Sequence, residues 1–458
     1  MTYATHWTRR LRELADRAGV PGAVLGIWAD GEEVLAAYGV LNTATGVDTT
    51  TDSLFQIGSI TKVWTATMLI QLIEEHRLSL DTPVADVLPG SRLGIADAGR
   101  TITVAHLLTH TSGLDGDIFT DTGRGDECVR RYVDELASAT STFPAGAGYS
   151  YCNSGFVLAG HIIEVLDGRS WDESLRSRLV EPLGLIKTVT LPEEAILHRA
   201  AVGHDEDGPV RVWALPRSVG PAGMITASAH DLLTFARLHL DGGVTAEGKQ
   251  LFGPDSAAAM QRPRAAIPSF TETSAAIGLG WRLSRWDGRL VIGHDGGTIG
   301  QSAYLRIVPD ARLAVCLLTN SSQAQGLYEE LFAEVFSSEL FAGVGGITMP
   351  ASPRPAPESA DIEASLQQHA GRYERTARRY DVSVRDGLLH ATATTTGSLA
   401  ALTGPHPEEV TLHPADSTGL NFLCRSRDID PWIPVMFGEF GDGTPYLFAG
   451  GRIAPQIR

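Results

Sequence analysis

Phe55-Gln56-Ile57-Gly58-Ser59-Ile60-Thr61-Lys62, running on into Val63-Trp64-Thr65-Ala66-Thr67-Met68-Leu69-Ile70, decides how this chain is read. A helical spacing places Ser59, Lys62, Ala66, Leu69 and Ile73 at alternating intervals of three and four. Serine and lysine then share one side of the helix with an apolar stripe that must be buried. An ammonium group there is desolvated, which lowers its pKa and frees the neutral amine to take a proton from a neighbouring hydroxyl.

Lys62, Lys187 and Lys249 are the only lysines among 37 basic residues, so the chain otherwise uses arginine. Neither of the other two has a serine three residues earlier, since Gly184 and Ala246 stand there. A guanidinium does not deprotonate, so a site that needs a basic amine has to use lysine.

With 458 residues and 43% hydrophobic content, the chain can fill more than one core. A net charge of -17 argues against a nucleic-acid surface, which normally shows as a basic patch. No stretch has the length and apolarity of a signal peptide or a membrane span, so a cytoplasmic protein without membrane association is expected. Cys128, Cys152, Cys316 and Cys424 are scattered without a Cys-x-x-Cys spacing and read as reduced thiols. The chain contains no Gly-x-Ser-x-Gly elbow, no zinc helix and no phosphate-binding loop, and no metal or cofactor is expected.

Strand-like runs at Gly22 to Ala29 and Glu33 to Gly39 flank Asp30-Gly31, which has hairpin chemistry. From Ser59 to about Ala265 the pattern is mostly helical. Strands return at Gly278 to Ser284, Arg289 to Gly293, Ser302 to Val308 and Arg312 to Leu318, before a helix near Gly326 to Phe341. Strands at both ends with helices between predict an α/β domain over 1–346, in which one sheet carries an inserted helical subdomain. Residues 347–360, rich in proline, predict a linker. The short β-like runs of 361–458 predict a small all-β barrel or sandwich.

Two further stretches supply polar chemistry. Tyr149-Ser150-Tyr151-Cys152-Asn153 offers a phenol that can relay protons and an amide that can hold a substrate. Gly293-His294-Asp295-Gly296-Gly297 offers a strand edge that a ligand backbone can approach, although a tight turn with a solvated histidine fits it too.

Taken together and in this order, these stretches resemble the serine β-lactamase and penicillin-binding-protein superfamily, in its branch of class C β-lactamases, DD-peptidases and esterases. Leu107-Leu108-Thr109-His110-Thr111-Ser112-Gly113-Leu114, Pro221-Ala222-Gly223-Met224 and Gly278-Leu279-Gly280-Trp281 support the likeness. The resemblance implies a β-lactamase-like antiparallel sheet flanked by helices. It implies Ser59 as nucleophile, Lys62 as base, Tyr151 as proton relay and Asn153 as a ligand to Lys62 or to a substrate amide. His294 stands where many members carry the lysine of Lys-Thr-Gly. Backbone N–H groups of Ser59 and Gly297 are expected to form an oxyanion hole, with Asp295 and Gly296 beside the substrate. His294 and Asp295 carry less fixed positive charge than Lys-Thr, which argues against efficient β-lactam hydrolysis. His106 and His110 read as turn residues.

Such a domain followed by about a hundred residues of β texture is similar to penicillin-binding-protein-type thioesterases that offload and macrocyclise nonribosomal peptides. It is also similar to D-aminopeptidases and carboxylesterases. Leu366 to Tyr373 looks like the opening of a lipocalin-like domain, which either walls the site or merely covers a sheet or mediates self-association. The expected substrate is peptide-like, with a carrier-bound thioester as one form it can take. A ligand sensor that keeps the pocket without turnover is the alternative from another class. Neither the acyl acceptor nor the oligomeric state is legible.

Overall fold

A computed structural model describes residues 3–29, 31–90, 93, 98–270, 275–338, 346–356, 366–427 and 432–457. Its first part is built on a nine-stranded antiparallel sheet. Gly22–Ala29, a wholly buried strand, pairs on one side with Glu32–Asn42 and on the other with the equally buried Leu313–Thr319, so the beginning and the end of the domain close one sheet. The order continues outward through Gln301–Val308, Arg289–Thr298 and Arg282–Trp286 to the short edge pieces Ala276–Ile277 and Ala265–Ala266. Asp30 of the expected hairpin turn lies outside the described residues.

Each face of the sheet has its own core. One is covered by helices Tyr3–Ala18 and Gln325–Ser337, where Trp7, Leu11, Leu331, Phe332 and Phe336 meet Leu25, Ile27, Val315 and Leu317. The other carries the inserted helices, among them Thr61–Glu74, Asn153–Asp167 and Ala229–Leu240, around Trp64, Phe156, Phe235 and Trp281. Helix Thr61–Glu74 is buried all round from Thr61 to Leu72, not on a single stripe. That makes it a central helix enclosed by the subdomain, as expected of a helix apolar on every side. Two small sheets did not show in the sequence: Phe55–Gln56 with Thr226–Ala227 and Thr188–Val189, and His204–Asp205 with Gly208–Pro209. Their strands are only two residues long, too short for a period to register.

Eight consecutive antiparallel strands from Gly371–Arg375 to Arg452–Ile457 form a closed barrel, sealed where Arg372 and Tyr373 pair with Ile457 and Gln456. Strand Leu388–Thr395 alternates buried and half-buried residues, the period-two pattern of a barrel wall. Tyr373, Leu389, Phe422, Phe437 and Leu447 fill the interior, and His369 stacks on Phe437 with ring centroids 4.2 Å apart. The barrel is thus a packed body. Of the expected linker, 357–360 lie outside the described residues, as does the end of the helix expected to reach Phe341.

Candidate active site

Ser59 lies in the 3-10 turn Gly58–Ile60, which runs directly into helix Thr61–Glu74. Gly58 has φ +51°, and a Cβ on it would fall 2.7 Å from Gly297 N. On Gly296 a Cβ would fall 1.9 Å from Ile57 O. Both positions must be glycine for strand Arg289–Thr298 to press its edge against the serine turn. This contact brings the Gly297 backbone beside Ser59, where two N–H groups can serve an oxyanion.

Lys62 is fully buried, with Nζ 2.9 Å from Ser59 Oγ and donating to Ala222 O at 2.6 Å. The rings of Tyr151 and Phe156 lie 4.9 and 5.8 Å from the nitrogen. Burial, and next the nearby Arg452 cation, hold the amine well below its ordinary pKa, against smaller opposing effects of Asp117 and Cys152. A neutral amine with one N–H engaged at Ala222 O has its lone pair free for the serine proton.

The Tyr151 phenol is buried beside Ser59 without a hydrogen bond of good geometry, and burial pushes its pKa up. His110 supports it from beneath. This histidine, at φ +57°, stacks on the Tyr151 ring at 4.2 Å and accepts a hydrogen bond from Cys152 N at 2.9 Å. Burial keeps His110 neutral, as the accepting role of Nδ1 requires.

Asn153 is the first residue of its helix, which Cys152 caps, and it lines the cavity, but its Nδ2 donates to Asp117 Oδ1 at 2.6 Å and not to Lys62. Of its two expected partners, the lysine is therefore not the one contacted. His294 is buried, and its Nδ1 donates to Asp295 O at 2.6 Å. Burial above all lowers its pKa to about 3, so it brings no positive charge to the place where Lys-Thr-Gly would. The carboxylate of Asp295 is engaged by Arg306 at 2.6 Å and Arg282 at 3.6 Å. It borders the cavity already neutralised.

Of the two roles expected for the barrel, walling the site is the one its contacts match, through residues that were not foreseen. Its Gly450-Gly451 turn reaches the site: Tyr151 N–H donates to Gly451 O at 2.9 Å, and Ile453 N–H to Ser150 Oγ at 3.1 Å. The Arg452 guanidinium lies 4.7 Å from the Tyr151 ring centre and 2.5 Å from Asp117 Oδ2. A second barrel arginine, Arg375, donates to the same carboxylate at 2.6 Å. Between the two domains opens a cavity lined at the site by Ser59, Tyr151, Asn153, His294 and Gly297 and by Phe448 and Arg452 of the barrel; it runs on as far as helices Tyr3–Ala18 and Gln325–Ser337, about 1430 Å³ in all. Among the described residues no cluster of histidine, cysteine or carboxylate side chains is arranged to hold a metal, and no helix is long and apolar enough to cross a membrane.

Comparison with known proteins agrees with this geometry. The Beta-lactamase family model matches residues 7–337. Penicillin-binding protein 4 of Amycolatopsis lactamdurans is 43% identical over 377 residues, covering 81% of this chain and 97% of its own. The solved structure of SurE with D-Leu superposes with a TM-score of 0.76 at 28% identity, over 99% of both chains. A D-amino acid amidase from Ochrobactrum anthropi SV3 reaches 0.60 at 25% identity, over 72% of this chain and 96% of its own. The chain thus belongs to the beta-lactamase family and is a serine hydrolase of that family, extended by a carboxy-terminal eight-stranded barrel.

Proposed function

We propose that Ser59 is acylated by a peptide-like thioester, ester or amide, and that the acyl group is released as a macrocyclic peptide when the substrate's own amine attacks. The observation that carries the acyl-enzyme is the buried, neutral Lys62 amine 2.9 Å from Ser59 Oγ. In this scheme the Ser59 oxygen bonds to the carbonyl carbon as its proton passes to Lys62. The oxyanion faces the N–H groups of Ser59 and Gly297, and Tyr151 hands a proton to the departing thiol or amine. An incoming amine reverses these steps, forms the new amide and frees the serine.

One observation favours an amine over water. The barrel hairpin closes one side of the centre, and Phe448, Tyr149 and Ile267 give the cavity an apolar wall, which limits water near the acyl group. SurE, whose solved structure holds D-Leu, shares both domains over its whole length, which supports a D-configured acyl residue. A carrier-bound thioester would be the natural donor. Hydrolysis of D-amino amides is the second reading. It is favoured by the likeness to the D-amino acid amidase and to the D-aminopeptidase of Gluconobacter oxydans, 26% identical over 71% of this chain and 59% of its own.

The test is incubation with linear peptidyl thioesters ending in a D- or an L-residue, read by mass spectrometry. Macrocycle from the D-series alone, and none with Ser59→Ala, is the expected result. Linear acid from every substrate would sink the cyclase reading and leave the hydrolase. Labelling by an acylating probe with no turnover of any thioester, ester or amide would leave only a ligand sensor.

A further inference from the structure

We propose that Asp117 is the positioning residue of this centre: its one carboxylate turns the Asn153 amide so that Oδ1 faces the cavity, and seats Arg452 of the barrel over Tyr151. The side chain is 6% exposed and is shared by three partners. Oδ1 accepts from Asn153 Nδ2 at 2.6 Å and from Arg452 Nη2 at 3.2 Å. Oδ2 accepts from Arg375 Nη1 at 2.6 Å and is ion-paired with Arg452 Nε at 2.5 Å.

An ionised carboxylate only accepts, so it can face just the NH₂ end of an amide. With Nδ2 so committed, Asn153 Oδ1 has no donor among the described residues, and the side chain borders the cavity. The amide is thereby set as an acceptor for a substrate N–H. The two guanidinium groups hold the Asp117 carboxyl below the usual range in spite of its burial. Next to it, Asp115 Oδ2 accepts from both N and Oγ1 of Thr376 at 2.6 and 2.7 Å, so Asp115 and Asp117 grip the barrel together.

Asp117 also acts on Lys62 through charge. The groups facing the lysine from the packed elements are Arg452, Asp117, Cys152, Tyr151 and the neutral His110 and His294. Arg452 disfavours the ammonium and Asp117 partly offsets it. Removing either charge must therefore move the lysine titration, and in opposite directions.

The inference rests on Lys62 being the base, and its test is the pH dependence of kcat/KM for the full chain with an activated D-aminoacyl ester. In wild type, activity falls as Lys62 is protonated. Asp117→Asn, shown by circular dichroism to be folded, keeps an oxygen to hold Arg452 but can turn either end to Asn153; it is expected to lower kcat about 10- to 100-fold through loss of orientation and, by losing the negative charge, to move the acid limb to lower pH. Arg452→Gln is expected to move that limb to higher pH. A folded Asp117→Asn enzyme with the wild-type limb overturns the proposal, whatever its rate. If that variant does not fold, an unmoved limb in Arg452→Gln overturns it alone. An acid limb retained in Lys62→Met would instead refute the lysine base and not the role of Asp117.

Discussion

Tyr151 donates its backbone N–H to Gly451 O at 2.9 Å, so the phenol facing Ser59 is held by the carboxy-terminal barrel as well as by its own domain. The Ile453 N–H bond to Ser150 Oγ adds a second rung to this inter-domain ladder. Loop and hairpin thus fix one another, and the proton relay depends on both.

The hairpin is the first place to test. Gly450 and Gly451 have φ +58° and +79°, a region that costs an L-residue roughly 1–2 kcal/mol. Replacing both with alanine is expected to lower stability by about 2–4 kcal/mol in a denaturant titration and to lower kcat. Unchanged kcat would show that the hairpin does not set the Tyr151 loop.

Ser59→Ala and Lys62→Met separate chemistry from stability. Ser59→Ala should reduce turnover by roughly 10³- to 10⁶-fold, as in other serine hydrolases. Lys62→Met should abolish acylation yet hold or raise the melting temperature, because it removes a desolvated amine from an apolar enclosure. A melting temperature that falls steeply in Lys62→Met would mean that the amine is a structural tie between Ser59 and Ala222.

Acid sensitivity follows from histidines that are buried neutral. His239 and His294 titrate near 3 in the fold because burial disfavours their charge, against 6.5 in the unfolded chain. Between these values the unfolded chain binds more protons, so stability is full above pH 6.5 and is lost as pH falls toward 3. His294→Gln should make that slope shallower by up to about 1.4 kcal/mol per pH unit. Unfolding free energies measured across this range check it, and an unchanged slope would mean that His294 is charged in the fold.

His110 is expected to matter without touching substrate. His110→Asn tolerates the positive φ but loses the ring under Tyr151 and leaves Cys152 N–H unpaired, a cost of about 1–3 kcal/mol. Turnover should fall while the pH at which Lys62 titrates barely moves, since His110 carries no charge. A large displacement of the acid limb in this variant would contradict a purely supporting role.

What could be read in advance follows from chemical distance along the chain. Ser59 and Lys62 are three residues apart on one turn, so their meeting is dictated by helical geometry, and the chain's scarcity of lysine singles the pair out. The alternation in 388–395 was legible because burial on one face imposes a period, and strands such as Gly22–Ala29 because burial on both faces makes them continuous apolar runs bounded by turns. Asp117 and Arg452 stand 335 residues apart and belong to different domains. Neither sits in a patterned segment, and nothing local distinguishes Arg452 from the arginines around it. The partner of Asn153 was missed for the same reason: a carboxylate in an irregular loop leaves no periodic signature.

The filled interior of the barrel has a consequence for anyone wishing to redesign this enzyme. With Tyr373, Phe422 and Phe437 occupying the bore, no cargo can be carried inside. Whatever the barrel contributes to choosing a substrate is written on its outer rim, in Phe448 and the turn from Gly450 to Arg452, which line the cavity. Selectivity can then be edited by exchanging that rim on an untouched β scaffold, whereas transplanting a whole foreign barrel would have to carry its own match for Asp117.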